Sequence, residues 1–180
     1  MTDLYHYLTP PISSDGSCRV GGSPVLYELS NLIPITEENT VLLKNLNAIV
    51  EKLQQETRVD WVGIYKKIQK SDGQWILLKL AYRGAISRAE FPLTENFAKN
   101  SNNSTVGLTG NPVLIQDVRV HQGPYYQCDG KVLSEFCCPI KNPSDEVIGI
   151  IDAESFQANY FAQSRLFEIE KVCFELRSLL

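Results

Sequence analysis

Two apolar runs with a tight turn between them constrain this chain more than any other stretch. Residues 136–140 (Phe-Cys-Cys-Pro-Ile) and 147–151 (Val-Ile-Gly-Ile-Ile) flank Asn142-Pro143-Ser144-Asp145. Apolar runs on either side of a Pro/Ser/Asp turn predict a β-hairpin. Side chains alternate along a strand, so Glu135, Cys137 and Pro139 share one face and Phe136, Cys138 and Ile140 the other. In the second strand Ile150, Asp152 and Glu154 share a face, opposite Ile151 and Ala153. Two acids on one side of a packed sheet are costly unless they meet water or a polar ligand. Crowded carboxylates raise one another's pKa, so one can keep a proton near neutral pH and donate it. The plainer reading is that the strand leaves the core there and its acids are solvated.

The rest of the chain reads as the scaffold of this hairpin. Residues 1–24 hold Pro10-Pro11, Ser13-Ser14 and Gly21-Gly22 and are expected to form an irregular N-terminal arm. Cys18 lies in it, as a tail thiol without a role or as a mobile thiol within reach of the site. Residues 25–180 are expected to form a single domain. A short helix is expected over residues 23–32, ended by Pro34. Thr36 is a good N-cap, with Glu37 and Glu38 in the first turn. Leu42, Leu43, Leu46, Ile49, Val50 and Leu53 then recur at helical spacing to about residue 57. Asp60-Trp61-Val62-Gly63-Ile64-Tyr65 opens a strand, and residues 75–82 pair with it across Ser71-Asp72-Gly73. Trp61, Gly63 and Tyr65 share a face. Gly63 either leaves room for a ligand between the two rings, or the rings simply fill core. Residues 94–105 are rich in Asn, Ser and Thr and predict a helix running into a loop. Residues 162–180 predict a last helix with Leu166, Ile169, Val172, Cys173, Leu176 and Leu179 on one stripe. The fold class expected is α+β, a mainly antiparallel sheet with the N- and C-terminal helices packed on one face.

Composition excludes several functions. A net charge of −4 with no basic run argues against nucleic acid as a partner. No apolar stretch is long enough to cross a bilayer, and the N-terminus lacks the pattern of a signal peptide. The five cysteines, at 18, 128, 137, 138 and 173, show neither a Cys-x-x-Cys pair nor metal-type spacing. No metal site is expected, and a reduced, cytoplasmic location fits this cysteine usage. Cys128 sits in a loop rich in Gly, Pro and Tyr, where a thiol can be accessible for nucleophilic work. The neighbouring Asp129 opposes this by raising the thiol pKa. His121 could polarise Cys128, although a solvated loop histidine is the commoner case.

Taken together the motifs resemble the GAF domain and, within it, the free methionine-(R)-sulfoxide reductases. Residues 60–65 resemble an Asp/Asn-Trp-x-Gly-Phe-Tyr first-strand motif. Asp117-Val118 followed by Gly123 resembles an Asp-Val loop. Cys128-Asp129 followed by Ser134-Glu135 has the spacing of the catalytic loop, and residues 148–154 resemble an Ile-Gly-Val-Leu-Asp-Ile-Asp strand. The resemblance runs from about Leu26 to the C-terminus. It implies Cys128 as the nucleophile that attacks the sulfoxide sulfur and becomes a sulfenic acid, which a further thiol must restore. It implies Glu135, Asp152 and Glu154 as the acids that grip and protonate the sulfoxide oxygen. It also implies Trp61, Tyr65, Asp129 and Ser134 as substrate-binding residues. No bound cofactor is implied, only an external thiol reductant, either thioredoxin-like or a small thiol.

The chain departs from that family at the two stretches that carry its further cysteines. Residues 84–88 and 102–105 contain none. Another thiol must then resolve the sulfenic acid. Cys137, on the face of Glu135, is preferred to Cys138 unless a β-bulge reverses the faces; Cys18 or an external small thiol are alternatives. The competing reading is a non-catalytic GAF module that binds a small amino-acid-like or other ligand. A sensor of that kind usually carries an output domain, for which this chain has no room. The partner expected in either case is a small molecule, with a homodimer left open.

Overall fold

The first long element shows how local signals set the frame. The computed structural model describes residues 3–13, 18, 22–125 and 129–180. Helix α1 (Glu37–Thr57) starts where Thr36 accepts a hydrogen bond from the Asn39 amide at 3.1 Å. It ends at Arg58 in the left-handed conformation. Leu43, Leu46, Val50 and Leu53 on its inner face are at most 1% exposed. Each such burial contributes about 1.5–3 kcal/mol.

Ahead of α1 the structure departs from the expected irregular arm and short helix. Residues 6–9 form strand β1 (His6–Thr9), which pairs antiparallel with β2 (Val25–Glu28). Only a single 3-10 turn, Leu29–Asn31, follows. The leucine spacing that suggests a helix is overridden by this pairing and by ring contacts. Tyr7 stacks on Tyr27 with centroids 5.3 Å apart. The Tyr7 hydroxyl donates to the Lys79 carbonyl at 2.8 Å, and the Tyr27 hydroxyl to Glu90 Oε1 at 2.6 Å.

After α1 come β3 (Trp61–Gln69), β4 (Trp75–Arg83), β5 (Glu90–Pro92), α2 (Glu95–Ala98), α3 (Asn102–Thr109), β6 (Val113–Ile115), β7 (Ser134–Lys141), β8 (Val147–Ser155) and α4 (Gln163–Leu176). Six of these strands make one antiparallel sheet in the order β5-β4-β3-β8-β7-β6. The β7–β8 hairpin forms as expected. Asn142 Oδ1 accepts from the amides of Ser144 and Glu146 at 2.9 and 3.0 Å, which builds the turn. A register shift at Ile140/Lys141 lies beyond the cysteines, so it does not exchange their faces.

Helices α1 and α4 pack side by side on one face of the sheet, α1 over β3 and β4, α4 over β7 and β8. Val62, Ile64, Phe136, Cys138, Ile151 and Ala153 point into that core. Residues 94–105, expected as a helix and a loop, instead hold two capped helical segments, with Thr94 accepting from the Phe97 amide and Ser101 from the Ser104 amide at 3.2 Å each. Helix α3 lies on the opposite face, against β7 and β8. A smaller core there joins Trp61, Tyr65, Leu77, Phe91, Val106, Cys137 and Ile150. None of the described helices is long and apolar enough to cross a membrane.

Candidate functional site

The register of three strands brings the acids together. Asp152 on β8 sits between Gly63 on β3 and Cys137 on β7. One step along the same face, Glu154 sits between Trp61 and Glu135. Side chains directly opposite on neighbouring strands are about 5 Å apart at Cβ. Alternation therefore does what the sequence suggests: Glu135, Asp152 and Glu154 form one group on the α3 side. Glu135 and Asp152 are not solvated strand-end acids, since they are 2% and 3% exposed, while Glu154 is half-buried.

Helix α3 closes over them. Asn102 Nδ2 donates to Glu135 Oε1 at 2.7 Å, and Asn103 Nδ2 donates to Asp152 Oδ2 at 2.8 Å. Burial is the largest influence on all three acids and raises each pKa, since the charged form loses its water. Glu135 is pushed further up by the charges of Asp152 and Glu154 and by a hydrogen bond to Asp152, and stands well above the carboxylate range. Asp152 rises to about 6; the Asn103 amide and the Glu135 hydrogen bond hold it down against burial. Burial and mutual repulsion thus both favour a proton held on this pair. Glu154 is raised well above its usual value by burial, then by Asp152 and Asp129, while Lys79 opposes the rise. The site can therefore both donate a proton and hold a negative charge a few ångströms away.

The aromatic wall is built by close approach. Gly84, at φ +120°, and Gly63 leave no space for a side chain: a Cβ on Gly63 would lie 2.3 Å from the Trp61 ring. The gap that the sequence offers between two rings is filled by Trp61 itself. Its Nε1 donates to the Ala85 carbonyl at 3.0 Å, and its ring stacks on Tyr82 and tilts toward Tyr65, with centroids 6.3 and 6.4 Å away. The Tyr65 hydroxyl donates to the Arg88 carbonyl at 3.4 Å, and its ring meets Phe91 edge-on.

The other expected site residues divide. Asp129 is half-buried, its Oδ1 accepting from the Lys131 amide at 2.9 Å, and its charge reaches Glu154. Ser134, one residue before Glu135, points to the other side of β7, where its hydroxyl donates to the Gln157 carbonyl at 2.7 Å. Cys137 lies fully buried on the acid face, its thiol pushed well up by burial and by Asp152 and Glu135. Cys138 lies on the other face, its carbonyl accepting from the Cys173 thiol at 3.7 Å. Cys18 is half-buried in a bridge with Ile12 and close enough for its charge to act on Glu154. Cys128 lies outside the described residues, and with it the expected pairing with His121.

A family model described as the GAF domain matches residues 42–170, a span that holds the whole six-stranded sheet. The chain belongs to the GAF domain family. Its β1–β2 hairpin lies ahead of the matched region. Among solved structures, this GAF domain is similar to a type II free methionine-R-sulfoxide reductase from Thermoplasma acidophilum, at 21% identity over 79% of this chain and 94% of that one, with a TM-score of 0.69. It is similar to the free methionine-R-sulfoxide reductase of Neisseria meningitidis, solved in complex with its substrate, at 18% identity over 79% and 83% with a TM-score of 0.64. It is also similar to the GAF domain of an Acinetobacter phosphoenolpyruvate-protein phosphotransferase, at 17% identity over 77% and 81% with a TM-score of 0.62. At these identities the likeness establishes the fold. No curated protein sequence matches the chain.

Sequence reasoning missed Asn102, Asn103 and Lys79 in this GAF domain. The signal for the first two is Ser101, a good N-cap two residues before Asn103, which turns a polar run into a helix start. Lys79 is the one charge inside the apolar run from Trp75 to Tyr82 and is fully buried. Its Nζ donates to the carbonyl and hydroxyl oxygens of Ser87, each at 2.8 Å, and lies 4.0 Å from the Tyr82 ring centroid. A lysine in the middle of an apolar strand is a buried-charge signal in its own right.

Proposed function

We propose that this GAF domain reduces free methionine-(R)-sulfoxide to methionine, with Cys128 as the nucleophile. The observation that carries the reading is the cluster of carboxyls Glu135, Asp152 and Glu154, the first two buried, on the sheet face that also carries Trp61 and Tyr65. The Cys128 thiolate attacks the sulfoxide sulfur. The sulfoxide oxygen takes a proton from Glu135, with Asp152 and Glu154 completing its grip. The sulfur–oxygen bond passes to the cysteine, so methionine leaves and Cys128 becomes a sulfenic acid. Trp61 and Tyr65 flank the methyl and side-chain carbons, and Asp129, whose charge acts on Glu154, joins the substrate-binding groups.

A second thiol then displaces the sulfenic hydroxyl as water and forms a disulfide, which an external thiol, thioredoxin-like or small, reduces. Cys137 is the proposed resolving thiol because it shares the acid face. Cys18 competes with it, since it is less buried and acts on the Glu154 carboxyl. Mixing the reduced protein with methionine-(R)-sulfoxide, without reductant, should release about one methionine per chain from wild type and none from Cys128→Ser. Tryptic mass mapping of the oxidised product then identifies the partner of Cys128. Absence of release from fully reduced protein sinks the reductase reading. The second reading, a module that binds a small ligand without turnover, is supported by membership of the GAF domain family, which commonly binds small ligands. A ligand-induced rise in melting temperature with no methionine formed would establish it.

A further inference from the structure

The first turn of α3 does more than cover the acids. Its two amide side chains reach two buried carboxyls, Asn102 to Glu135 and Asn103 to Asp152, at 2.7 and 2.8 Å. Asn102, Asn103 and Ser104 are at most 4% exposed. Asn102 Oδ1 and Ser104 Oγ are nevertheless buried without a hydrogen-bond partner among the described residues. Buried polar atoms are nearly always paired, so two such atoms on one turn mark a place for a group that brings its own N–H or O–H donors.

We propose that Asn102 and Asn103 are positioning residues that set the proton balance of the two carboxyls, each amide favouring the ionised form of the carboxyl it touches. Asn103 donates to Asp152 and holds its pKa down against burial. Asn102 donates to Glu135 and opposes the burial and neighbouring charge that favour a proton there. The groups that bear on this balance are Glu135 and Cys137 on β7 and Glu154 on β8. Through Glu154 they also include Lys79 on β4, Asp129 in the loop before β7, and Cys18. None of these is an N–H donor to Asp152; Asn103 and the Ala153 backbone amide supply that role. The proposal depends on the reductase reading only for what receives the proton.

The test is direct titration of protein carrying 13C-labelled Asp and Glu carboxyls, followed by NMR. Asn103→Leu, similar in volume but without the amide, should raise the Asp152 midpoint by about one pH unit. Where the wild type turns over methionine-(R)-sulfoxide, the acid limb of its kcat should move upward by the same amount with KM little changed. If Asn103→Leu does not fold, Asn103→Ala carries the same expectation. An Asp152 midpoint unmoved in a folded variant overturns the proposal, whatever the activity. A shifted midpoint in a protein that releases no methionine supports the positioning role and removes only the reductase reading.

Discussion

The two faces of the central sheet, built from the same strands, follow opposite rules. On the α1/α4 face, β3, β7 and β8 present Val62, Ile64, Phe136, Cys138, Ile151 and Ala153, a dry packed core. On the α3 face, one residue along, the same strands present Gly63, Glu135, Cys137, Asp152 and Glu154. Adjacent cysteines show the contrast most plainly. Cys138 is a small apolar filler, while Cys137 stands opposite Asp152 with its thiol pushed up by two acids. The first face stores stability and the second spends part of it, because desolvated acids are held where a solvated or apolar residue would be cheaper. That asymmetry is the physical argument for a site.

Exchanging a residue on each face should break the comparison in opposite directions. The largest effect is expected for Glu135→Gln, which removes the transferable proton while keeping the shape. Methionine formation should fall by roughly 10²–10⁴-fold, with thermal stability unchanged or raised. Loss of stability together with activity would mean that the acid is structural.

Leu46→Ala, under the apolar face, should cost about 2–5 kcal/mol in denaturant unfolding and leave activity per folded molecule intact. Its size would establish how much of the stability the helical face holds.

The acid face should also make stability pH-dependent. Asp152 has a folded pKa raised from 3.8 to about 6. An acid with a raised folded pKa stabilises the fold while protonated, and that contribution is lost as pH rises through the window between those values. Stability should therefore decline between about pH 4 and 6, by on the order of 3 kcal/mol at 1.36 kcal/mol per pH unit. Asp152→Asn should flatten this slope in urea titrations at several pH values. A slope that persists in the variant would place the linkage elsewhere.

The smallest effect is expected for Ser134→Ala. Its hydroxyl serves the Gln157 carbonyl on the far side of β7, so the change should cost about 1 kcal/mol and leave ligand affinity unaltered. A marked loss of affinity would return Ser134 to the site.

What was legible in the sequence follows the same division. The hairpin, the Thr36-capped helix and the sharing of one face by Glu135, Asp152 and Glu154 all came from periodicity, which is local information. The resemblance to the GAF domain rested on the same strands. The amides of Asn102 and Asn103 were not legible as site residues, because what places them over β7 and β8 is the packing of α3. The strand at residues 25–28 was hidden for a similar reason: its partner β1 comes from a segment that reads as irregular, and Tyr27 here and Tyr7 in β1 find their places only against Glu90 and Lys79. The occupied gap over Gly63 could not be foreseen either. A glycine between aromatics says that something approaches closely, and only the rotamer of Trp61 says that it is the neighbouring ring.

The strand order has a consequence for how the protein comes into being. β3 lies between β4, its neighbour in the chain, and β8, which emerges only after β4, β5, α2, α3, β6 and β7. During synthesis the β3–β4 ribbon must wait with one hydrogen-bonding edge open. Such a non-local pairing forms late and slowly, and the waiting edge is a place where another chain can add. Asp152 and Glu154 arrive on that same late strand. The desolvated acids therefore assemble in the step that closes the sheet, so a partly made chain has an exposed edge to protect but no acid group able to act.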